Sequence, residues 1–311
     1  MKIAILGGSF DPIHQGHMEM AKYALRHIKV DEVWFLPTKK TPLKDRELTS
    51  FHHRCEMIKR AIHPYNRMKL CKDEDRDVEC SYTIDTVKYM KMKYPTHQFL
   101  WLIGFDQAKQ LANWKDIHTL LKLVEFHVFL RDDVTEICPF PIIIEKMPLI
   151  DISSTKIRQG HDLHKVARSV RDYIAEHGLY LSTMIEDKMC EKRYEHSKSV
   201  AKLAKELALC HGVDGEKAYI AGLLHDVCKE WPYQKAYQWM QTFHPLLMHH
   251  HKNIWHAYVG EQQVKRYYHI RDKQICHAIK NHVQGSKQHA LSMIVYIADK
   301  LDPLRGYDSH A

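Results

Sequence analysis

The pattern of apolar and polar positions divides the 311-residue chain into two unlike halves. In the first half short, largely apolar runs recur: Ile3-Ala4-Ile5-Leu6, Val33-Trp34-Phe35-Leu36-Pro37, Met68 to Cys71, Phe99-Leu100-Trp101-Leu102-Ile103, Glu125 to Leu130 and Ile142 to Glu145. Such runs read as strands, Ile3 to Leu6 as a buried one and the all-apolar Phe99 to Ile103 as one at the centre of a parallel sheet. Helical segments separate them. One places Met18, Ala21, Ala24, Leu25 and Ile28 on a single face. Another is capped by Thr49 and carries Phe51, Cys55, Ile58 and Ile62; a third opens at Ser81-Tyr82-Thr83 and stops before Pro95. This alternation predicts an α/β N-terminal domain built on a doubly wound, Rossmann-like parallel sheet. Its ligand crevice should lie at the carboxyl ends of the strands, where the strand order reverses.

Beyond residue 181 the strand pattern vanishes. Residues 184–211, 215–229, 233–243, 255–268, 273–282 and 289–301 all read as helical, so the C-terminal domain is expected to be all-α. The boundary is placed between residues 1–181 and 182–311, at a short junction without a Pro/Gly/Ser-rich linker.

Composition narrows the class. Hydrophobic content of 45% and charged content of 27% are ordinary for a soluble globular protein. A net charge of +8 suits anionic substrates. With no arginine-rich block or RNA-binding aromatic signature, nucleic acid is the weaker reading of that charge. The eight cysteines are scattered without a CxxC, which fits a reduced, cytoplasmic protein. No apolar stretch approaches 18 residues and the N-terminus runs straight into the first strand, so neither a membrane span nor a signal peptide is expected.

The stretch Gly7 to His17, GGSFDPIHQGH, joins the first strand to the first helix. Glycines without a Cβ let a phosphate approach the backbone, and a helix N-terminus attracts anions. His14 and His17, three residues apart, fall on one side of a helical turn. Together they form a candidate oligophosphate cradle; the Walker and dinucleotide fingerprints are both absent. Gly104-Phe105-Asp106, at the end of the central apolar run, is placed to receive a nucleotide. The loop 38–46 is basic, with Lys39, Lys40 and Lys44, and either closes over phosphates or is a solvated loop. Asp151-Ile152-Ser153-Ser154-Thr155-Lys156-Ile157-Arg158 opens a short helix that is either a second anion site or plain capping.

The second half holds a spaced set of metal-type ligands: His196, the pair His225-Asp226 after an apolar run, His256, His282 and Asp299. A buried His-Asp pair is costly without a metal or partners. Four His and two Asp exceed the needs of one structural zinc and suit two metals sharing a carboxylate and an activated water. The run His249-His250-His251 reads as a polar loop.

In the first 181 residues, GGSFDPIHQGH, the PxK of Pro42 and Lys44, SYTIDT, GFD, Asn113-Trp114, ISSTKIR and YIAEHGLYL stand in order. These strings resemble the HxGH nucleotidyltransferase superfamily and, within it, the bacterial nicotinate-nucleotide adenylyltransferases. The resemblance implies that ATP, accompanied by Mg²⁺, binds Gly7, Gly8, Ser9, Phe10, His14, His17, Gly104, Asp106, Ser154, Thr155 and Arg158. Of these, His14, His17 and Arg158 would hold the phosphates catalytically. Lys44, Tyr82, Thr83 and Trp114 would bind nicotinate mononucleotide, Trp114 by stacking on the pyridine. Leu43 departs from the histidine that this family often has before the lysine.

The strings RYEHSKSVAKLA, AGLLHDVCK, IWHAYVG, IKNHVQG and YIADKLDPLR resemble the HD-domain phosphohydrolases, most closely the symmetrical diadenosine tetraphosphate hydrolases. The resemblance implies that His196, His225, Asp226, His256, His282 and Asp299 hold iron or a similar divalent metal, with Asp226 catalytic. Lys229 and Arg305 would hold substrate phosphates, and the products would be two ADP. The chain ends at Ala311, so this domain is expected to be C-terminally short. The expected protein is therefore a bifunctional enzyme. The alternatives are an adenylyltransferase whose HD half only binds metal to regulate or scaffold, and an RNA-binding protein using the basic excess. A homo-oligomer is compatible with the sequence.

Overall fold

The computed structural model describes residues 1–39, 47–75, 82–130, 139–148 and 150–304, together with the backbone of Arg305. Lys44, Ser81 and the Arg305 side chain lie outside the described residues. The chain forms two compact units: Met1–Ile157 with Asp162–Val170, and Arg158–His161 with Arg171–Ala311. By this measure the division falls ahead of residue 181.

The first unit runs β1 (Lys2–Gly8), α1 (Gln15–Tyr23), β2 (Glu32–Pro37), α2 (Phe51–Ile62), β3 (Met68–Leu70), α3 (Thr83–Lys93) and β4 (Gln98–Gly104). It continues with α4 (Phe105–Ala108), α5 (Ile117–Leu123), β5 (Glu125–Phe129), β6 (Ile143–Glu145) and α6 (Ser154–Arg158). All six strands are parallel, in the order β3-β2-β1-β4-β5-β6. Leu6 of β1 sits beside Phe35 of β2 on one side and Leu102 of β4 on the other. Ile3, Ile5, Trp101, Ile103, Phe126 and Val128 pack into the core on one face, while Ala4, Leu6, Leu100 and Leu102 are just as buried. Burial on both faces is why these strands are continuous apolar runs rather than alternating ones. The order reverses between β1 and β4, so their carboxyl ends flank the crevice of a doubly wound sheet.

Two local readings are corrected. The cap of α2 is Ser50, whose Oγ accepts from the His53 amide at 3.3 Å, not Thr49. The first helix does not stay α-helical to Ile28; residues Ala24–Ile28 form a π-helical turn that ends at Lys29 in the left-handed region.

Helix α7 (Arg168–Glu176) crosses the division. The second unit then holds α8 (Leu181–Glu186), α9 (Glu191–Cys210), α10 (Gly215–Leu224), α11 (Tyr233–Phe243), α12 (Trp255–Arg266), α13 (Lys273–Asn281) and α14 (Ala290–Leu301). The single helix expected over 184–211 is two. Cys190 leaves helical geometry at ψ 155, and its amide donates to Glu230 Oε2 at 2.8 Å, so a long-range bond interrupts the periodicity. α9 and α10 approach closely where Gly222 faces the Ala201 backbone: a Cβ there would lie 2.8 Å from Ala201 Cα.

Two candidate active sites

The first site is the turn from β1 into α1. Phe10 occupies it with φ 48, and its ring is buried against His17 at 4.9 Å and Phe35 at 5.7 Å. A Cβ on Gly8 would sit 3.4 Å from the Phe10 ring, and one on Gly7 3.2 Å from Trp101. Glycine at position 7 therefore makes room for the Trp101 ring, whereas at position 8 a Cβ would only touch Phe10 at ordinary contact distance. Gly104, at the carboxyl end of β4, is different: a Cβ there meets nothing within 4 Å, so the protein's own packing does not require glycine at this strand end.

His14 is the N-cap of α1 and His17 its third residue. Their rings stack with centroids 3.8 Å apart, and His17 Nδ1 accepts the His14 amide at 3.3 Å. Gly16 between them has a steric cause. A Cβ there would come within 3.1 Å of His14 Cε1 and Nδ1 and 3.2 Å of Ile152 Cγ2. The glycine of HQGH thus lets the two imidazoles share the helix start.

Ser154 begins α6, and its Oγ donates to the Pro12 carbonyl at 2.9 Å. Ser153 Oγ accepts the Lys156 amide at 3.2 Å and supplies the capping bond. Thr155 is exposed within α6, and Arg158 is the last residue of that helix, where the division between units passes. Asp106 is exposed in the first turn of α4. Tyr82 is the N-cap of α3 and Thr83 its first residue. Trp114 packs edge-on to Phe126 with ring centroids 6.0 Å apart. The next residue, Lys115, lies 4.3 Å over the Tyr82 ring and pairs with Asp85 at 3.1 Å. The structure thus draws the start of α3 together with the Trp114 segment.

The second site is buried in the helical unit. His196 comes from α9, and His225 and Asp226 follow the end of α10. His256 belongs to α12, His282 follows α13, and Asp299 lies in α14. None of the six is more than 6% exposed. His196 Nε2 and His225 Nε2 are 3.3 Å apart, each within 3.4 Å of Asp299 Oδ1. His256 Nε2 and His282 Nε2 are 3.1 Å apart, at 3.2 and 3.4 Å from Asp226 Oδ1. Asp226 belongs to both metal-type groups. The opposite ring nitrogens are already engaged: His225 Nδ1 with the Gly222 carbonyl at 2.6 Å, His282 Nδ1 with the Ile279 carbonyl at 2.7 Å and His196 Nδ1 with Asp302 Oδ2 at 2.6 Å. These partners assign the ring proton to Nδ1 and leave an Nε2 lone pair directed inward. Lone pairs and carboxylates crowded in a dry space repel one another, and a divalent cation among them removes that conflict. The donor set therefore fits a metal.

Protonation follows the same geometry. Burial pushes His256 down to about 4 and also lowers His282. Burial opposes the charge on Asp226, but His225, His256 and His282 outweigh it and hold the carboxyl well below its usual range. Burial likewise opposes charge on His225, where Asp226, Asp299 and the Gly222 carbonyl prevail and raise its pKa.

A cavity of about 350 Å³ adjoins His196 and Asp226 and is lined by Lys192, Arg193 and Lys229. Lys229 Nζ lies 3.2 Å from His256 Nε2, and Arg193 Nη1 donates to Asp226 Oδ2 at 2.6 Å. Sequence reasoning missed Arg193, Lys192 and Asp302. Arg193 precedes His196 by one helical turn, a spacing that could have drawn it in.

Residues 5–160 match the cytidylyltransferase-like family, and residues 193–304 match the HD domain. Fold and sites therefore define a nucleotidyltransferase unit joined to an HD unit. The chain is 34% identical, over 98% of its length and 88% of the relative's, to the "probable nicotinate-nucleotide adenylyltransferase/Ap4A hydrolase" of Mycoplasma genitalium. It belongs to the nicotinate-nucleotide adenylyltransferase/Ap4A hydrolase family. It is also 37% identical to the nicotinate-nucleotide adenylyltransferase of Bacillus subtilis, over 58% of this chain and 99% of that one. The nicotinic acid mononucleotide adenylyltransferase of Plasmodium falciparum shares the fold, at 24% identity and a TM-score of 0.50, over 58% of this chain and 97% of that chain.

Proposed function

We propose that the chain carries two activities, one in each unit. The first unit transfers the adenylyl group of ATP to nicotinate mononucleotide, giving deamido-NAD and pyrophosphate. The second hydrolyses diadenosine tetraphosphate to two ADP. The family supports this pairing, and one observation within each unit carries it. In the first unit this is the stacked pair His14 and His17 at a helix start, beside the strand ends at the β1/β4 reversal. In the second it is the four buried His that meet at Asp226, with Asp299 against His196 and His225.

Adenylyl transfer needs little proton chemistry. The attacking phosphate oxygen is ionised at pH 7, so no general base is required. The protein has to align that oxygen with the α-phosphorus and neutralise charge developing on pyrophosphate. His14 and His17 are the groups we assign to that charge, with the turn 7–10 and Gly104 as the backbone against which ATP lies. Mg²⁺ accompanying ATP supplies further neutralisation. Tyr82, Thr83 and Trp114 form the mononucleotide side, where Trp114 offers a flat ring to the pyridine.

In the second unit His196, His225, Asp226, His256, His282 and Asp299 would hold a divalent metal, for which iron is our assignment. Bound there, it supplies Lewis acidity and an activated water. Lys229, Arg193 and Lys192 line the adjoining cavity and would bind the phosphates of the substrate. We place the protein in the cytoplasm; the described cysteines, several of them buried, are all free thiols, as a reducing compartment favours.

His14→Ala should remove most adenylyl transfer while leaving the melting temperature and tetraphosphate hydrolysis intact; near-normal transfer would overturn the assignment. Metal content by mass spectrometry, with diadenosine tetraphosphate turnover on the same sample, tests the second unit. Two equivalents with ADP release support hydrolysis. Metal without turnover favours the reading in which this unit regulates or scaffolds.

A further inference from the structure

Arg54 of α2 is the largest side chain among the fully buried ones, with 1% exposure. A guanidinium is costly to bury unless its donors are placed. Arg54 Nε donates to the Thr49 carbonyl at 2.8 Å, and Nη1 donates to the Ser9 carbonyl at 2.9 Å. Ser9 is the first residue of the turn between β1 and α1. Two neighbouring carbonyls, one at the end of β1 and one within the turn, are held from elsewhere. Gly8 accepts from the Thr38 amide at 3.0 Å, and Pro12 accepts from Ser154 Oγ at 2.9 Å. The carbonyls of the last β1 residue and of two residues in the following turn are thus tied to three separate stretches of the chain.

Peptide planarity gives this a consequence. In a trans peptide the N–H points opposite to the C=O. Fixing the carbonyls of Gly8, Ser9 and Pro12 therefore fixes the amides of Ser9, Phe10 and Ile13, directed away from the tethers. Phe10 is also left-handed at φ 48, a geometry that persists in a non-glycine residue only when its surroundings hold it. Turns with a left-handed residue gather successive amides into anion-binding concavities.

We propose that Arg54 and Ser154 are positioning residues, which clamp the turn from outside so that its amides are aimed at the triphosphate of ATP. The proposal rests on the adenylyl-transfer reading of this unit. It gives the Ser154 hydroxyl a role through Pro12 rather than on the nucleotide. It also explains why an arginine is buried at position 54. Its planar fork reaches two carbonyls at once, and its charge lies behind the anion site; a lysine keeps the charge but cannot span both acceptors.

The test is calorimetric binding of ATP and of nicotinate mononucleotide, each alone, to the full chain and to Ser154→Ala, Ser154→Thr and Arg54→Lys. Ser154→Ala and Arg54→Lys should each weaken ATP by about three- to tenfold, the effect of one misplaced hydrogen-bonding group. Mononucleotide binding should stay within twofold, and Ser154→Thr, which keeps the hydroxyl, should bind ATP as the parent does. Unchanged ATP affinity in both Ser154→Ala and Arg54→Lys overturns the proposal. So does equal loss for both ligands accompanied by a lower melting temperature, the mark of a purely structural role. If Arg54→Lys does not fold, the Ser154→Ala and Ser154→Thr pair decides alone. Turnover by the parent chain, assayed separately, tests the transfer reading, since ATP binding is read without it.

Discussion

The Nδ1 of His196 lies 2.6 Å from Oδ2 of Asp302, a buried carboxylate whose other oxygen accepts from Ser199 Oγ at 2.5 Å. Asp302 sets the tautomer and plane of His196, one ring of the candidate metal set, from the side opposite its inward Nε2. Partners of this kind are worth 10- to 100-fold, roughly, in metal affinity. Asp302→Asn keeps the shape but loses the charge. Titrating chelator-stripped protein with metal should show affinity lower by about that factor, with adenylyl transfer unchanged. Equal affinity in variant and parent would remove Asp302 from the metal site.

Gly16→Ala should damage the first unit alone. The new methyl would meet the His14 ring at 3.1 Å and Ile152 at 3.2 Å, so one of them has to shift. The imidazole is the freer of the two. A displacement of about 1 Å in a positioning group can cost on the order of 100-fold in rate, and the shift needed here is a few tenths of an ångström. Transfer should fall several-fold, well short of that extent, with metal content of the second unit and its hydrolysis retained. A variant with parental transfer kinetics would show that His14 needs no such space.

Buried thiols give an alkaline limit to stability. Burial pushes Cys71 up to about 12 and Cys276 up to about 11, and raises Cys228 further, from 9.0. In the unfolded chain these thiols ionise near their ordinary value, while the folded protein keeps them protonated. Proton binding above pH 9 then favours the folded state less with each step upward. The stabilisation is whole below the unfolded pKa and is lost as pH rises through the folded values. Melting temperature should therefore fall steadily between about pH 9 and pH 11. Cys276→Ala should flatten that decline, and a slope unaltered by the substitution would assign the alkaline limit to other groups.

Most of the sheet could be read from the chain because its central strands β1 and β4 are buried on both faces and so appear as unbroken apolar runs, as at Phe99 to Ile103, whereas the edge strands β3 and β6 carry polar or exposed positions. The six metal-type residues were legible as well, since His225-Asp226 after an apolar run has no comfortable solvent-facing alternative. What escaped notice depends on distant partners. Asp302, just before Pro303, reads as an ordinary helix end, and its bond to His196 spans 106 residues. Ser154 looks like a capping serine in sequence, but Ser153 makes the capping bond and Ser154 reaches Pro12. The break between α8 and α9 hid for the same reason, because the Glu230 carboxylate that receives the Cys190 amide lies 40 residues on.

Gly222 joins the packing of the helical unit to its chemistry. Its carbonyl accepts from His225 Nδ1 at 2.6 Å, and its missing side chain is what lets α10 lie against α9. A Cβ there would be 2.8 Å from Ala201 Cα and 3.1 Å from both Ala201 N and the Val200 carbonyl oxygen. All three are backbone atoms, so no rotamer change relieves the contact; the helices themselves have to separate. Overpacking of this kind costs roughly 1–3 kcal/mol, and more where only backbone can yield. Separation would also move His225 relative to His196, which sits on α9 across that contact at 3.3 Å between Nε2 atoms. Gly222→Ala should therefore lower the melting temperature of the helical unit and its metal content together, with ATP binding by the first unit retained. Loss of stability with full metal occupancy would mean that the α9–α10 spacing and the ligand geometry are independent.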